Sequence, residues 1–493
     1  MRALHVTLRR TAPFSRAIVA AAVALSLALG VASCSLHKAP PRSEISAKAM
    51  PAPATIPPGW TPTSPTGEDV SNDWVKTFGD PGLESVVNEA IAHNTDLRQA
   101  AATVEIARQG ALLVGAKLKP QVGLNAGGSL TRDKDQDETF RSNEIYVQVA
   151  WEVDIWGRLR SERAAAVAQY QATALDYAFA RQSLAATTAQ TWYLAIETRQ
   201  LIGLAQQDVD IHTRLLDLAK VKYSAGKVSA LDVAEATAAL NNSQAKLVQT
   251  QGLYNEVRRS LEVLVGRFPS AELDVAQDYA QLPPPIKAGL PASLLERRPD
   301  ILAAESQVIG AFRSLESARL ALLPTIVLTA EGGRLSDGIL NLLKLNPYLI
   351  AASAGLFQPI FNGGALRTKI RIETAKQEKA IANYGSVALG AFRDVEVALN
   401  NEQVLADQIQ YEQQALVSRV EAVRIATLRY QAGKISLLPV LQLQSEQLLT
   451  QASIIKLQDA QLANRVKLHL ALGGGFDSEP AATMQPPPPT PTK

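Results

Sequence analysis

Beyond its first 33 residues, the 493-residue chain offers four histidines and a single cysteine as candidate metal ligands or nucleophiles. His37, His93, His212 and His469 are scattered, with no His-Glu-x-x-His pair and no second thiol, so no metal site is expected. The nearest approach to phosphate chemistry is a twice-used Ala-Gly-Lys, at Ala225-Gly226-Lys227 and Ala432-Gly433-Lys434. A phosphate loop needs an earlier glycine for its turn and a hydroxyl directly after the lysine for a metal-bound nucleotide. Here the first glycine is missing and the hydroxyls, Ser229 and Ser436, come two places after the lysine, so nucleotide binding is not expected. No acid, base and nucleophile form a constellation, which leaves an enzyme as the least expected class.

The cysteine has another chemistry. Arg2, Arg9, Arg10 and Arg16 precede an apolar run from Ala17 to Ala32, with no acidic residue before Glu44, the pattern of a secretory signal. The run ends in Val31-Ala32-Ser33-Cys34, which resembles the bacterial lipoprotein box, in which the cysteine is acylated and becomes the mature N-terminus. Residues 1–33 therefore read as a signal peptide and Cys34 as a lipidation site, the alternative being a buried or incidental thiol. Ser35 follows it, with no Asp to suggest retention at an inner membrane. The whole chain has 49 Lys+Arg against 47 Asp+Glu, and losing the signal's arginines leaves it near neutral. No basic stripe points to nucleic acid. No apolar run of helix-spanning length follows the signal, so a membrane crossing would have to use strands.

The elements that must position these residues occur twice. Residues Ala39 to Gly67 and Met484 to Lys493 are Pro-rich and read as an extended tether and a tail outside the core. Between them, Asn94-Thr95-Asp96-Leu97 opens a helical stretch ending at Pro120, and Arg298-Pro299-Asp300-Ile301 opens another ending at Pro324. Ile155-Trp156 matches Ile360-Phe361, Tyr223-Ser-Ala-Gly-Lys-Val-Ser matches Tyr430-Gln-Ala-Gly-Lys-Ile-Ser, and Gly266 matches Gly473, all about 205 residues apart. The expected domains are a lipidated tether over 34–66, a first repeat over 67–267, a connector over 268–298, a second repeat over 299–475 and a tail over 476–493.

Each repeat reads as helix, strand pair, very long helix, tight turn and long helix. Ile145, Val147, Val149, Trp151 and Val153 alternate with Glu144, Tyr146, Gln148, Glu152 and Asp154, a period of two that makes 143–154 a strand paired with 121–130. Residues Thr131 to Ser142 read as the hairpin tip. A weaker pair covers 325–331 and 347–357, around a loop whose stretch 339–345 is unexpectedly apolar. Strands of about ten residues with one apolar face can span a bilayer, although soluble half-buried hairpins show the same alternation. Four strands cannot close a barrel, and an open sheet in lipid leaves edge amides unsatisfied, so a spanning sheet demands oligomerisation.

Leu159 to Lys222 and Gly364 to Arg429 are proline-free and Ala-, Gln- and Leu-rich, so each would be a rod of roughly 95–100 Å. Gly226 and Gly433 suit the ends of these rods, and Ser229 and Ser436 suit N-caps of the returning helices, Ser229 to Val265 and Ser436 to Leu472. Ser229 and Asp232 fit a capping box with Asp in place of Glu.

Four segments then resemble a family: Trp151-Glu152-Val153-Asp154-Ile155-Trp156-Gly157-Arg158; Arg297-Arg298-Pro299-Asp300-Ile301 with Ala304-Glu305; Phe357-Gln358-Pro359-Ile360-Phe361-Asn362-Gly363-Gly364; and the repeated Tyr-x-Ala-Gly-Lys turn. They resemble the TolC-like outer membrane efflux proteins, in the lipoprotein branch that includes OprM and NodT, and the likeness covers nearly everything from Trp74 to Gly475. The resemblance implies a mainly α protein with a small β part and two tandem halves. It also implies a homotrimer whose twelve strands form one outer-membrane barrel, continued by a periplasmic barrel of helices. It implies a passive exit duct for drugs or other small molecules, docked on a periplasmic adaptor and an inner-membrane pump, with no cofactor beyond the lipid on Cys34.

By the same resemblance the turn residues Tyr223, Gly226, Lys227, Tyr430, Gly433 and Lys434 lie at the periplasmic mouth where the adaptor docks. Asp232 and Tyr430, with Lys434 close by, match a closed-mouth contact; Asp232 could instead serve only as a cap. Family members place acids near the start of the second return helix, where this chain has Pro439 and Gln442, leaving Asp232 and Glu235 as the substitutes. Trp151 and Trp156 suit an anchor at the membrane interface or ordinary packing at a barrel base. The alternatives to the small-molecule duct are a protein-secretion duct of the same fold and a non-channel helical lipoprotein acting as adaptor or scaffold.

Overall fold

A computed structural model describes residues 37–51, 54, 56–61, 73–133, 138–336 and 348–474. The signal peptide, Cys34, the apolar loop 339–345 and the tail 476–493 lie outside the described residues. The elements follow the expected order twice. After α1 (Arg42–Ala49) and a 3-10 turn (Trp74–Phe78), the first repeat runs α2 (Pro81–His93), α3 (Thr95–Ala116), β1 (Gln121–Asp133), β2 (Glu138–Val153), α4 (Arg158–Ser224) and α5 (Ala230–Leu264). A connector with the short α6 (Leu294–Arg297) leads to α7 (Pro299–Leu320), β3 (Thr325–Ser336), β4 (Leu349–Phe357), α8 (Ala365–Gln431) and α9 (Leu438–Ala471). The long helices α4 and α8 have 67 residues each.

The chain divides into two compact units, the first gathering Met1–Ala49, Glu105–Ala172 and Ala304–Tyr384. Its four strands form one antiparallel sheet in the order β1-β2-β3-β4, so the hairpins of the two repeats join edge to edge through β2 and β3. Asn125, Gln148 and Glu331 face one side: the Asn125 amide donates to Gln148 Oε1 at 3.4 Å, and the Gln148 amide donates to Glu331 Oε1 at 2.7 Å. The other side carries Val122, Leu124, Val147, Trp151, Leu328, Ile350 and Leu356, all exposed, with Leu124 at 69% and Leu356 at 68%. Gly333 sits opposite Tyr146, and a Cβ there would come within 2.2 Å of the Ile145 carbonyl, so only glycine lets β2 and β3 approach.

Three expectations change in this unit, the first being that β3 runs five residues past the expected 331, to Ser336, because β2 offers it backbone partners as far as Asn143. The ladder continues through Leu130↔Arg141, Thr131↔Phe140 and Arg132↔Thr139, so most of the expected 131–142 tip is strand. Backbone pairing persists there after hydrophobic alternation stops, because polar side chains on a solvated ladder cost little. The segment read as an extended tether contains helix α1, held by buried Ile45 and by the Arg42 guanidinium on Glu305 at 2.8 Å. Just before it, the His37 N–H donates to Glu316 Oε1 at 3.1 Å and the Arg313 guanidinium donates to the His37 carbonyl at 2.6 Å.

The second unit gathers Met50–Val104, Thr173–Ala303 and Gly385–Lys493. One core packs Trp74 and Phe78 with Leu83 and Val87 of α2, Trp192 and Ile196 of α4, Leu261 of α5 and Val466 of α9. Ala185, Ala186 and Ala189 of α4 are fully buried, as close helix approach requires. The repeats are equivalent here at the level of single bonds. The Asn94 amide donates to the Leu264 carbonyl at 3.0 Å, and Arg298 donates to the Ala471 carbonyl at 3.2 Å; each closes the end of its own repeat's return helix. Gly266 and Gly473 follow those ends at φ 76° and 74°, against the backbone of His93 and Arg297 respectively. The connector is pinned from both sides. Glu262 accepts the N–H groups of Ala271, Glu272 and Leu273 at 2.7–2.9 Å, and buried Arg465 pairs with Glu402 and donates to the carbonyls of Pro283 and Pro284.

Candidate functional site

The two helix turns are built alike. The Gly226 N–H donates to the Tyr223 carbonyl and the Lys227 N–H to the Lys222 carbonyl, both at 2.9 Å; Gly433 and Lys434 repeat this on Tyr430 and Arg429 at 3.0 and 2.9 Å. This is the Schellman arrangement, which ends a helix with a residue of positive φ, here Gly226 at 66° and Gly433 at 73°.

Their surroundings differ. Tyr430 is 1% exposed, in a cluster with Leu215, Leu216 and Ala219 of α4, Ala236 of α5, and Leu437 and Val440 at the start of α9. The Lys222 ammonium lies 4.3 Å from the Tyr430 ring centroid and donates to the carbonyls of Tyr430 and of Gln431, the latter at 3.1 Å. A cation on the last carbonyls of α8 is favoured by the helix dipole and by the aromatic face. Lys222 was not singled out in the sequence; its signal was a basic residue in the last turn of a helix. Tyr223, the counterpart of Tyr430, is 52% exposed.

Asp232 joins the two turns. Its Oδ2 accepts from the Ser229 N–H at 3.1 Å and the Ser229 hydroxyl at 2.9 Å, and its Oδ1 accepts from the Leu437 N–H at 3.2 Å. Burial disfavours its charge, but the bonds from Leu437 and Ser229 outweigh it and hold the carboxyl below the usual aspartate range. Both oxygens are thus engaged, and the Tyr430 hydroxyl is buried without a hydrogen-bond partner among the described residues. Burial and the Asp232 charge both push that phenol upward. The expected contact between Asp232 and the second turn is therefore made at the Leu437 amide and not at the Tyr430 hydroxyl. Lys434 and Lys227 are exposed and Glu235 is half-buried. Ser436 does not cap α9, which begins one residue later than a Ser436 cap requires. Leu437 occupies the cap in a helical conformation (φ −69°), because Asp232 takes its amide and the apolar cluster takes its side chain.

At the strand ends, both tryptophans bond to backbone while leaving ring surface exposed. The Trp151 indole donates to the Leu118 carbonyl at 3.0 Å, and the Trp156 indole to the Pro324 carbonyl at 2.8 Å. Between them, Asp154 caps α4 by accepting the N–H groups of Leu159 and Arg160 at 3.0 and 2.9 Å. Arg158 holds both oxygens of Glu152 at 2.7 and 2.9 Å. The run from Trp151 to Arg158 is thus a strand-to-helix corner, turned at Gly157 with φ 85°.

No helix among the described residues is long and apolar enough to cross a membrane. The chain is 32% identical over 438 residues, 86% of its length and 93% of the relative's, to the pyoverdine export outer membrane protein OpmQ of Pseudomonas putida. It is 29% identical to the toluene efflux pump outer membrane protein TtgC of Pseudomonas putida, covering 85% of this chain and 88% of that one. The fold is that of the Campylobacter jejuni CmeC outer membrane channel, with a TM-score of 0.82 at 21% identity over 91% of this chain and 96% of the other. Two tandem matches to the outer membrane efflux protein model, over residues 86–267 and 290–474, fall one on each of the two repeats, and the chain belongs to that family.

Proposed function

We propose that the chain forms, as a homotrimer, the outer membrane channel of a tripartite efflux system, a passive exit duct that leads small molecules from the periplasm to the exterior. The observation that carries this reading is the four-stranded sheet with exposed apolar side chains from all four strands on one face, the Asn125, Gln148 and Glu331 chain on the other, and two outer edges, β1 and β4, without partners among the described residues. An apolar face of this extent fits lipid, where open edges must be closed by strands from other chains. It counts against a hairpin packed on a soluble body, which would bury that face. Relatives named for pyoverdine and toluene favour small molecules over proteins as cargo.

In this reading the chain is a conduit and not an enzyme; a periplasmic adaptor and an inner-membrane pump supply contact and energy. The turns at Tyr223–Lys227 and Tyr430–Lys434 form the periplasmic mouth, where Asp232 and Lys222 hold the two hairpins of one chain together. Cys34 carries lipid on the periplasmic leaflet, and Trp151 and Trp156 meet the bilayer boundary. The test is the protein mass of the detergent-extracted complex together with a low-resolution image of it. A three-chain complex with a tapered tubular outline is expected; a monomer released by removing the lipid anchor would sink the duct and favour an adaptor or scaffold.

A further inference from the structure

We propose that each chain carries a second turn joint, left unfilled within itself, that takes another copy of the chain, with Arg429 seated on Tyr223 of the next copy. The proposal rests on the trimeric reading above and adds the contact that joins copies at the helix turns.

The repeat supplies the template. Lys222 and Tyr223 of the first turn correspond to Arg429 and Tyr430 of the second, and the two turns share the same pair of backbone bonds and a positive-φ glycine at the same place. Within the chain, one cation and one ring are already matched: Lys222 lies over Tyr430 and donates to the carbonyls at the end of α8. That leaves one cation and one ring over. Arg429 is exposed and makes no side-chain hydrogen bond or ion pair among the described residues, and Tyr223 is 52% exposed where its counterpart is 1%. Exposed apolar side chains flank both, Ile425 and Leu428 beside Arg429 and Val221 beside Tyr223.

A leftover donor on one hairpin and a leftover acceptor on the other make the chain complementary to itself head to tail. Such a heterologous contact closes into a ring when the rotation between copies permits. The guanidinium suits the place: it stacks on an aromatic face and reaches the carbonyls of Tyr223 and Ser224, where the helix dipole favours a cation. One element of the internal joint has no counterpart between copies. The position equivalent to Asp232 is Pro439, which offers no carboxylate. A ring of three chains would therefore alternate internal joints fastened by Asp232 with joints between copies that rest on Arg429 and apolar contact alone.

The experiment replaces Tyr223, whose ring is 52% exposed and so leaves room for a larger substituent, with the photoreactive p-benzoylphenylalanine in the full-length, membrane-extracted protein, assembled from isotopically heavy and light copies. Cross-linked peptides joining position 223 of one isotope to residues 425–434 of the other are expected, with the yield reduced several-fold by Arg429→Ala. In planar bilayers, Arg429→Ala should raise the open fraction about tenfold, the combined effect of three cation–π contacts parting together. A trimer that gives no heavy–light cross-link in that segment, or cross-links only within one chain, overturns this joint while leaving the duct intact. A monomer overturns both.

Discussion

Replacing Asp232 by alanine should unfasten the first return helix from the second turn. The carboxylate caps α5 through Ser229 and accepts the Leu437 N–H at 3.2 Å, in a place where the Leu437 side chain is fully buried. A lost cap costs about 1 kcal/mol. A hydrogen bond to a charged acceptor contributes about 1.5–3 kcal/mol, and a buried amide left without an acceptor is costly in its own right. Because these overlap, about 2–4 kcal/mol is expected for local opening, which at about 1.4 kcal/mol per decade is a thirtyfold to a thousandfold gain in exchange. The assay is hydrogen exchange of the Leu437 amide in the assembled protein. Ser229→Ala, which keeps both backbone bonds to the carboxylate, should change it by less than about fivefold.

The pH dependence follows from the lowered pKa. A carboxyl whose folded pKa lies below its unfolded value, about 3.9 for aspartate, stabilises fully above that value and is lost as pH falls through the folded one. Protection of Leu437 should therefore hold from neutral pH down to about 4 and fade below it, and Asp232→Asn should flatten that profile. Unchanged exchange in Asp232→Ala, or an equal effect from Ser229→Ala, would refute the joining role and leave Asp232 as a cap alone.

Further outcomes are expected elsewhere. Lys222→Met should remove the cation from the Tyr430 ring and its bonds to the Tyr430 and Gln431 carbonyls, lowering thermal stability by about 1–2 kcal/mol and raising channel conductance with Asp232→Ala; single-channel recording measures the second effect. Leu124→Arg places a charge on the apolar face of β1 and should cost about 2–4 kcal/mol near mid-bilayer, seen as loss of membrane-inserted protein, whereas Asn125→Arg on the opposite face should insert normally. Gly333→Val should block the β2–β3 joint, because its Cβ would fall within 2.2 Å of the Ile145 carbonyl; heat-resistant assembly on a gel is the readout. Gly266→Ala should destabilise by more than 1 kcal/mol, since its φ is 76° and the new methyl would meet the His93 carbonyl at 2.8 Å.

The order of elements, the two repeats, the strand faces and the long helices were legible because each rests on local periodicity. Long proline-free stretches of helix formers mark a helix before its packing partners are known, and alternation assigns a strand's faces in the same way. Glycines after long helices marked the turns for an equally local reason, the positive φ that ends a helix. The capping box at Ser229 and Asp232 was visible too, its partners being three residues apart.

What tertiary structure decided involves groups far apart in sequence. That the hairpins join through β2 and β3 depends on Gly333 meeting Tyr146, and no pattern within either strand specifies it. That Asp232 reaches the Leu437 amide and leaves the Tyr430 hydroxyl alone, and that Lys222 covers one tyrosine while its twin stays exposed, depend on how two hairpins pack. The helix at Arg42–Ala49 appears because Glu305 and a site for Ile45 are waiting for it. Local rules set what each segment is; which of two equivalent side chains is satisfied depends on the neighbour that burial brings within about 3 Å, where a hydrogen bond can form.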